Sequence, residues 1–324
     1  MINITALIIL YNAKISASDT LNSIFCNKLS NINLSLIVWN NGPVPLANED
    51  IDYLHDKAKE KHIAYSLYQD MRNVSLPKIY NLFINKLVRQ PQSEDKCDYF
   101  IILDQDSILR DGYFEQMAAA DGYDLIVPKI FLERDRHLYQ THPHREEDAI
   151  FTIARHGIID EKFHTCMSGA SLSLPFINNL LSTRNNIFDE RLGLYYADTE
   201  FFIFINKLID SGMTISRYCA GEIVHDSYQM NGIFDQSFKK SNPRFAELQI
   251  VNLYKELYID HKSKASLYKK ILSGFIKRKK YFSKDNVRSW LKFIHDGQHE
   301  RSKYDISDSE PTHRYNPETR RIAP

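Results

Sequence analysis

At 324 residues, 43% hydrophobic and 25% charged, the chain has the make-up of a soluble globular protein with one large domain and an extension, or two domains. Its 41 Lys and Arg balance 41 Asp and Glu, and a formal net charge of zero argues against a dedicated nucleic-acid binder. Four scattered cysteines (Cys26, Cys97, Cys166, Cys219) form no CxxC pair, which argues against a disulfide framework or zinc ribbon and fits a reduced cytoplasmic compartment.

The N-terminus lacks the basic region of a signal peptide and reads directly into a strand, Ile4 to Leu10, that is almost continuously apolar. Such runs suit parallel strands covered on both faces. Leu34 to Trp39 repeats the pattern and stops at the turn signal Asn40-Asn41-Gly42-Pro43. Ile63 to Tyr68 reads as a third strand. Ser75 is expected to cap a helix with Pro77 in its first turn and Leu76, Ile79, Tyr80, Phe83 and Leu87 on one face. Phe100 to Leu103 and Asp124 to Pro128 supply two more strands. Strand–helix alternation of this kind predicts an α/β fold with a Rossmann-like, mostly parallel central sheet flanked by helices.

Residues 133–149 are polar, carry His137, His142 and His144, and are expected to form a surface loop that contacts an acceptor or is plain connection. The histidines lack a Cys or acid partner set, so zinc is disfavoured. A helix is expected to begin at Thr199 and to be stopped by Gly212. Between 239 and 292, 15 Lys and Arg face 4 Asp and Glu, mixed with apolar residues at helical spacing. We expect a main domain at 1–235, a basic amphipathic helical extension at 236–295, and a polar, poorly ordered tail at 296–324. No apolar run approaches the roughly 20 residues that span a bilayer.

The run "FIILDQDS" ends a buried strand in two carboxylates one residue apart. Alternate strand residues share a face, so Asp104 and Asp106 converge if the pairing persists, and converging carboxylates need a cation, a proton or donors. An ordinary Asp-rich turn is the competing reading. P-loop, GxGxxG and GxSxG signatures are absent. What remains is a set of groups at element ends: Asp104, Asp106, Asp198, Glu200 and His225. In open α/β sheets ligands collect at the carboxyl ends of strands, where Asn40 and the two acids fall.

Six segments, in order, carry a family resemblance: ITALIILYN, LIVWNNG, NVSLPKIYN, ILDQDS, MSGASLSL and FDERLGLYYADTEF. Together they resemble the inverting family 2 glycosyltransferases of the GT-A fold. The Asp-Gln-Asp-Ser and Asp-Thr-Glu wording is most similar to bacterial rhamnosyltransferases that build surface glycans such as O-antigen or capsule. The resemblance implies transfer of a sugar from a nucleotide-diphosphate donor, dTDP-rhamnose first and a UDP-sugar second, to a hydroxyl of a glycan acceptor carried on a polyprenyl diphosphate. It implies Mg²⁺ or Mn²⁺ as cofactor, with Asp106 as direct ligand, Asp104 on the nucleotide sugar or metal-bound water, and His225 either a contributor to the metal site or a packed strand-end histidine.

By the same resemblance Asp198 is the general base, with helix capping as its rival role. Tyr11, Asn12, Asn40 and Asn73 are expected on the donor, Asn40 standing where an Asp usually reads the pyrimidine. Lys78 is a phosphate candidate or a solvated side chain, and Ser75 replaces a Gly. Ser168, Gly169, Asp189 and Glu200 are expected on the acceptor side, with Asp189 and its neighbour Glu190 alternatively solvated turn residues. Residues 266–282, with Leu267, Ile271, Leu272, Phe275 and Ile276 among lysines, read either as an interfacial helix for anionic lipid at the inner face of the plasma membrane or as an ordinary amphipathic helix. A sugar-phosphate nucleotidyltransferase lacks its Gly-rich, Arg-containing loop here. A non-catalytic glycan- or lipid-binding scaffold of the same fold would bind nucleotide without turnover.

Overall fold

The computed structural model describes residues 1–89, 97–145, 155–225, 242–277, 279 and 282–317. Strands β1 (Ile2–Leu10) and β2 (Ile32–Asn40) flank helix α1 (Asp19–Cys26). Helix α2 (Asn48–Glu60) leads to β3 (Ala64–Gln69), and α3 (Leu76–Arg89) precedes β4 (Tyr99–Asp104). Next come β5 (Ser107–Leu109), α4 (Tyr113–Ala119), β6 (Leu125–Arg134) and β7 (His137–His142). Four short strands follow: β8 (His144–Arg145), β9 (Gly157–Ile158), β10 (Phe163–His164) and β11 (Ser171–Ser173). The chain continues through α5 (Leu174–Thr183), α6 (Ala197–Asp210) and β12 (Arg217–His225). Helices α7 (Asn242–Tyr254), α8 (Lys264–Ile276) and α9 (Lys284–Asp296) precede β13 (His313–Tyr315).

The main sheet runs β13-β3-β2-β1-β4-β11-β6-β12-β5, with β7 on β6 and β9 on β12. Strands β3, β2, β1 and β4 are mutually parallel, β6 and β12 are parallel, and β11 lies antiparallel between β4 and β6. The apolar runs take this form because the central strands are buried on both sides. Leu7, Ile9, Phe100 and Ile102 pack with α3, α5 and α6 residues such as Ile79, Phe83, Phe176 and Phe201. The alternate residues Ala6, Ile8, Ile101 and Leu103 pack with Leu21, Leu54 and Phe114 of α1, α2 and α4. A separate cluster around Leu253, Leu267, Ile271, Trp290 and Phe293 holds α7, α8 and α9 together and reaches Leu192.

Three expectations need correction. The described part of 133–149 is not a plain loop: β7 folds back on β6 as an antiparallel hairpin, and His144 pairs with His164 in a second small sheet. Over its described residues, 296–317, the polar tail is ordered, because β13 adds antiparallel to β3 and Lys78 and Lys86 donate to the carbonyls of Tyr304 and Ser309. Helix α8 does not offer one apolar stripe to solvent: Leu267 and Ile271 are buried in the helical cluster, while Leu272, Phe275 and Ile276 face outward. The expected domain boundary at 235–236 lies outside the described residues.

Candidate active site

Register brings the acids to the strand ends. Leu10 pairs with Asn40 across β1 and β2, and Ile9 pairs with Asp104 across β1 and β4. Beyond Asp104 the chain turns at once into β5, which pairs antiparallel with β12 so that Ser107 lies opposite His225. That pairing delivers His225 to the acids. Its Nδ1 lies 3.5 Å from Asp106 Oδ1, and its Nε2 lies 3.9 Å from Asp104 Oδ2.

Small hydroxyls brace the turn. Ser168 Oγ accepts from the Asp104 backbone N–H at 3.1 Å and lies 2.6 Å from Ser107 Oγ, which in turn lies 3.1 Å from His225 Nδ1. Thr20, in the first turn of α1, donates to the Asp104 carbonyl and accepts from the Ser107 N–H. Ser18, the N-cap of that helix, donates to the Gln105 carbonyl at 2.9 Å. Nothing in the sequence marks Ser18, Thr20 or Ser107 as special. Their role arises from a contact made 85-odd residues along the chain, which local pattern does not encode.

Asp104 keeps 39% of its side-chain surface open, yet it looks into the cleft rather than bulk water. Burial pushes its carboxyl up to about 6; His225 opposes the rise, while Asp106 and Asp198 add to it. Burial likewise raises Asp198, against the pull of bonds from Thr199 and the attraction of His225. Helix α6 begins at Ala197, so Asp198 is inside its first turn and the cap position is Tyr196, a correction to the expected capping role. Tyr196 takes φ of 74°, a left-handed conformation that costs a bulky residue strain and is commonest at functional sites. The carboxylate of Asp198 accepts from the Thr199 N–H at 2.7 Å, at the positive end of the helix.

Two cavities share Asp104 and His225. The first, about 460 Å³, is lined by Tyr11, Asn41, Asn73, Asp104, Gln105, Asp106 and Arg301 among others. The second, about 560 Å³, holds Asp198 with Tyr80, His142, His144, His164, Thr165, Tyr195, Tyr196 and Lys255. The His142 and His144 rings are 5.3 Å apart, and His144 and His164 are 5.9 Å apart. Burial drives His142 down to about 3, helped by His144, so the His142 ring is neutral at ordinary pH. Thr165 Oγ1 is buried there without a hydrogen-bond partner among the described residues. Sequence reasoning missed Thr165, Tyr195, Lys255, Asn41 and Arg301 as wall residues.

Several expected site residues serve the scaffold instead. Asn40 is buried and spends its amide on Val44, Gln69 and Gly42, so it does not face the first cavity. Its neighbour Asn41 does, while bonding Val74 and Asn73. Asn12 holds the Gly42 carbonyl through its N–H at 2.7 Å and is not part of either wall. Ser168 is buried as the brace described above, not on an acceptor surface. Gly169 has φ of 81°, and a Cβ there would lie 2.4 Å from Ile223 Cδ1, so its role is close packing against β12.

Asp189 is tied to Arg191 at 2.8 Å and to Tyr254 Oη at 2.6 Å; these bonds overcome burial and hold its carboxyl below the usual range. Glu200 pairs with Arg184 at 2.9 Å. Glu190 accepts from Asn81 at 3.0 Å. Ser75 directly precedes α3, its carbonyl accepting from the Ile79 N–H at 3.2 Å, while its hydroxyl donates to the Leu192 carbonyl at 2.7 Å. Lys78 is spent on the tail.

No protein-family model matches the chain, and no curated protein matches it. Among solved structures, GalNAc-T7 with UDP, GalNAc and Mn²⁺ aligns over 91% of this chain and 56% of its own, at 10% identity and a TM-score of 0.50. TarS of S. aureus aligns over 93% of this chain and 50% of its own, at 12% identity and a TM-score of 0.49. TarS 1–349 in complex with UDP-GlcNAc aligns over 95% of both chains, at 12% identity and a TM-score of 0.46. The chain thus spans about half the length of TarS and of GalNAc-T7. The sheet order, the helices on both its faces and the likeness to GalNAc-T7 identify the architecture as the GT-A fold of glycosyltransferases.

Proposed function

We propose that this chain is an inverting glycosyltransferase that moves a sugar from a pyrimidine-nucleotide diphosphate to an acceptor hydroxyl. The observation that carries the reading is the placement of Asp104 and His225 between two cavities, with Asp106 on one side and Asp198 on the other. A donor in the first cavity presents its anomeric carbon toward the second. Asp198 takes the proton of the acceptor hydroxyl as its oxygen bonds the anomeric carbon, and the bond from that carbon to the diphosphate oxygen breaks. Attack from the face opposite the leaving group inverts the centre. The helix N-terminus holds the Asp198 carboxylate in place, and its burial makes it a stronger base than a solvated Asp.

The acid–imidazole set suits a hard divalent cation such as Mn²⁺ or Mg²⁺, since His225 lies by both carboxylates, its Nδ1 3.5 Å from Asp106 and its Nε2 3.9 Å from Asp104. Among the described residues no group of three or more His, Cys, Asp or Glu forms a ready cage. Asp106 and His225 would hold the ion, leaving the other positions for diphosphate and water. Such a cation neutralises the leaving group when bound. GalNAc-T7, of similar fold, was solved with UDP and Mn²⁺, which agrees with this donor class. We favour dTDP-rhamnose over a UDP-sugar on motif wording.

No helix among the described residues is long and apolar enough to cross a membrane. Ile276 is 77% exposed beside Leu272, Phe275, Lys269 and Lys277, which supports peripheral contact with anionic lipid and an acceptor carried on a polyprenyl diphosphate. The test of the function is direct. UDP or dTDP with Mn²⁺ should raise the melting temperature of the wild type, and Asp106→Ala should abolish both that shift and sugar transfer. Full transfer by Asp106→Ala would refute the reading, and nucleotide binding without turnover on any acceptor would mark a non-catalytic scaffold.

A further inference from the structure

Arg301 reaches the donor-side cavity from a part of the chain that the sheet does not need. It belongs to a short 3-10 turn, Glu300–Lys303, after α9. The turn is fixed by its backbone. The His299 N–H donates to the Arg191 carbonyl at 2.8 Å, the Ser75 N–H donates to the Arg301 carbonyl at 3.4 Å, and Ser302 Oγ donates to the Leu192 carbonyl at 3.1 Å. His299, with 6% of its side chain exposed, fills the space over Gly193, where a Cβ would lie 2.8 Å from the imidazole. Glu247 takes the His299 ring at 3.1 Å, and its other oxygen lies 3.4 Å from Arg301.

The guanidinium itself is less committed. Among the described residues its one ion pair is that long contact to Glu247, and 26% of the side chain remains exposed. Arg301 and His225 are the wall groups of this cavity that carry or can take positive charge, set against Asp104 and Asp106. Two acids repel a diphosphate, so anion binding here needs cationic donors in the same cavity. Arginine offers a planar fork of N–H groups that matches phosphate oxygens two at a time.

We propose that Arg301 binds the diphosphate of the nucleotide donor, so that a residue of the C-terminal segment completes the site. This rests on the glycosyltransferase reading above and names a partner for the leaving group within it. The same turn holds Ser75 and Leu192, so donor binding and docking of the segment are coupled.

The test is titration calorimetry of the full chain with UDP and with UMP in Mn²⁺, using wild type, Arg301→Gln and Arg301→Lys. A melting temperature unchanged without ligand verifies that each variant is folded. Arg301→Gln should weaken UDP about 10- to 100-fold, the range for a charged hydrogen bond, with a clearly smaller effect on UMP. Arg301→Lys keeps the charge without the fork and should recover part of the loss. UDP affinity equal to wild type in both variants would overturn the proposal, as would equal losses for UDP and UMP. If wild type binds neither UDP and UMP nor dTDP and dTMP, the glycosyltransferase reading falls as well, whereas wild-type binding with indifferent variants removes only the role of Arg301.

Discussion

Strands β1, β2 and β4 are joined by unbroken parallel ladders, with nine paired positions between β1 and β2 alone. Residues 299–315 are joined to the same sheet by a three-residue strand and by scattered polar contacts from Ser75, Lys78, Lys86 and Arg72. The first region is built by periodic burial, the second by bonds whose partners lie hundreds of residues away. A ladder tolerates substitution at most surface positions because its backbone groups do the binding. A polar strap depends on individual side chains, and one residue of the strap, Arg301, lines the proposed donor site.

If chemistry belongs to the sheet region and the strap shapes binding, substitutions should separate the two. The largest effect is expected from Asp198→Asn, which should lower kcat by about 10²- to 10⁴-fold while leaving UDP affinity unchanged. In the wild type, the raised Asp198 carboxyl predicts that kcat falls on the acid side at a pH above the ordinary carboxylate range, because the base works only when deprotonated. A pH–rate profile checks this.

Trp290→Ala should cost about 3–5 kcal/mol, because its fully buried ring is the centre of the helical cluster. Urea unfolding should show one transition if α7–α9 and the sheet are a single cooperative unit through Leu192. Two transitions would make the comparison sharper still, as two folding units. Ser168→Ala should cost about 1–3 kcal/mol by removing the acceptor of the Asp104 N–H, measurable in the same assay.

The smallest effect concerns pH. Asp104 in the folded protein releases its proton near about 6, above the roughly 4 of an unfolded Asp. The folded state therefore holds the proton more tightly, and the group's contribution to stability is greatest below about pH 4 and is lost as pH rises through about 6. With chelator present, Asp104→Asn should melt a few degrees higher than wild type at about pH 7.5 and match it at about pH 4. Identical melting at both values would mean that the carboxylate is better solvated than the cleft suggests.

How much of this was legible follows from the same contrast. The apolar runs of β1, β2 and β4 and the acids that end β4 could be read because burial on both faces leaves a local signature. Asp198 and His225 were reachable through family wording. The use of Asn40, Ser168, Asp189 and Glu200 as structural partners was not, because each is decided by a distant residue: Gln69, Asp104, Tyr254 and Arg184. The polar character of residues 296–317 suggested disorder since it offers little apolar area, yet its hydroxyls, carbonyls and charges find partners across the fold. Arg301 carries no motif at all.

Strand β13 has a further consequence. Strand β3 would otherwise be the rim of the sheet, with a row of unpaired N–H and C=O groups able to template another chain. His313, Arg314 and Tyr315 occupy that rim, and the charged pair Arg314–Glu310 at 3.1 Å lies beside them. The terminal strap thus covers the edge of β3 and also supplies Arg301 to the wall of the cleft. A chain shortened before Thr312 should turn over less readily into monodisperse protein, and its light scattering should rise with concentration where the intact chain stays constant.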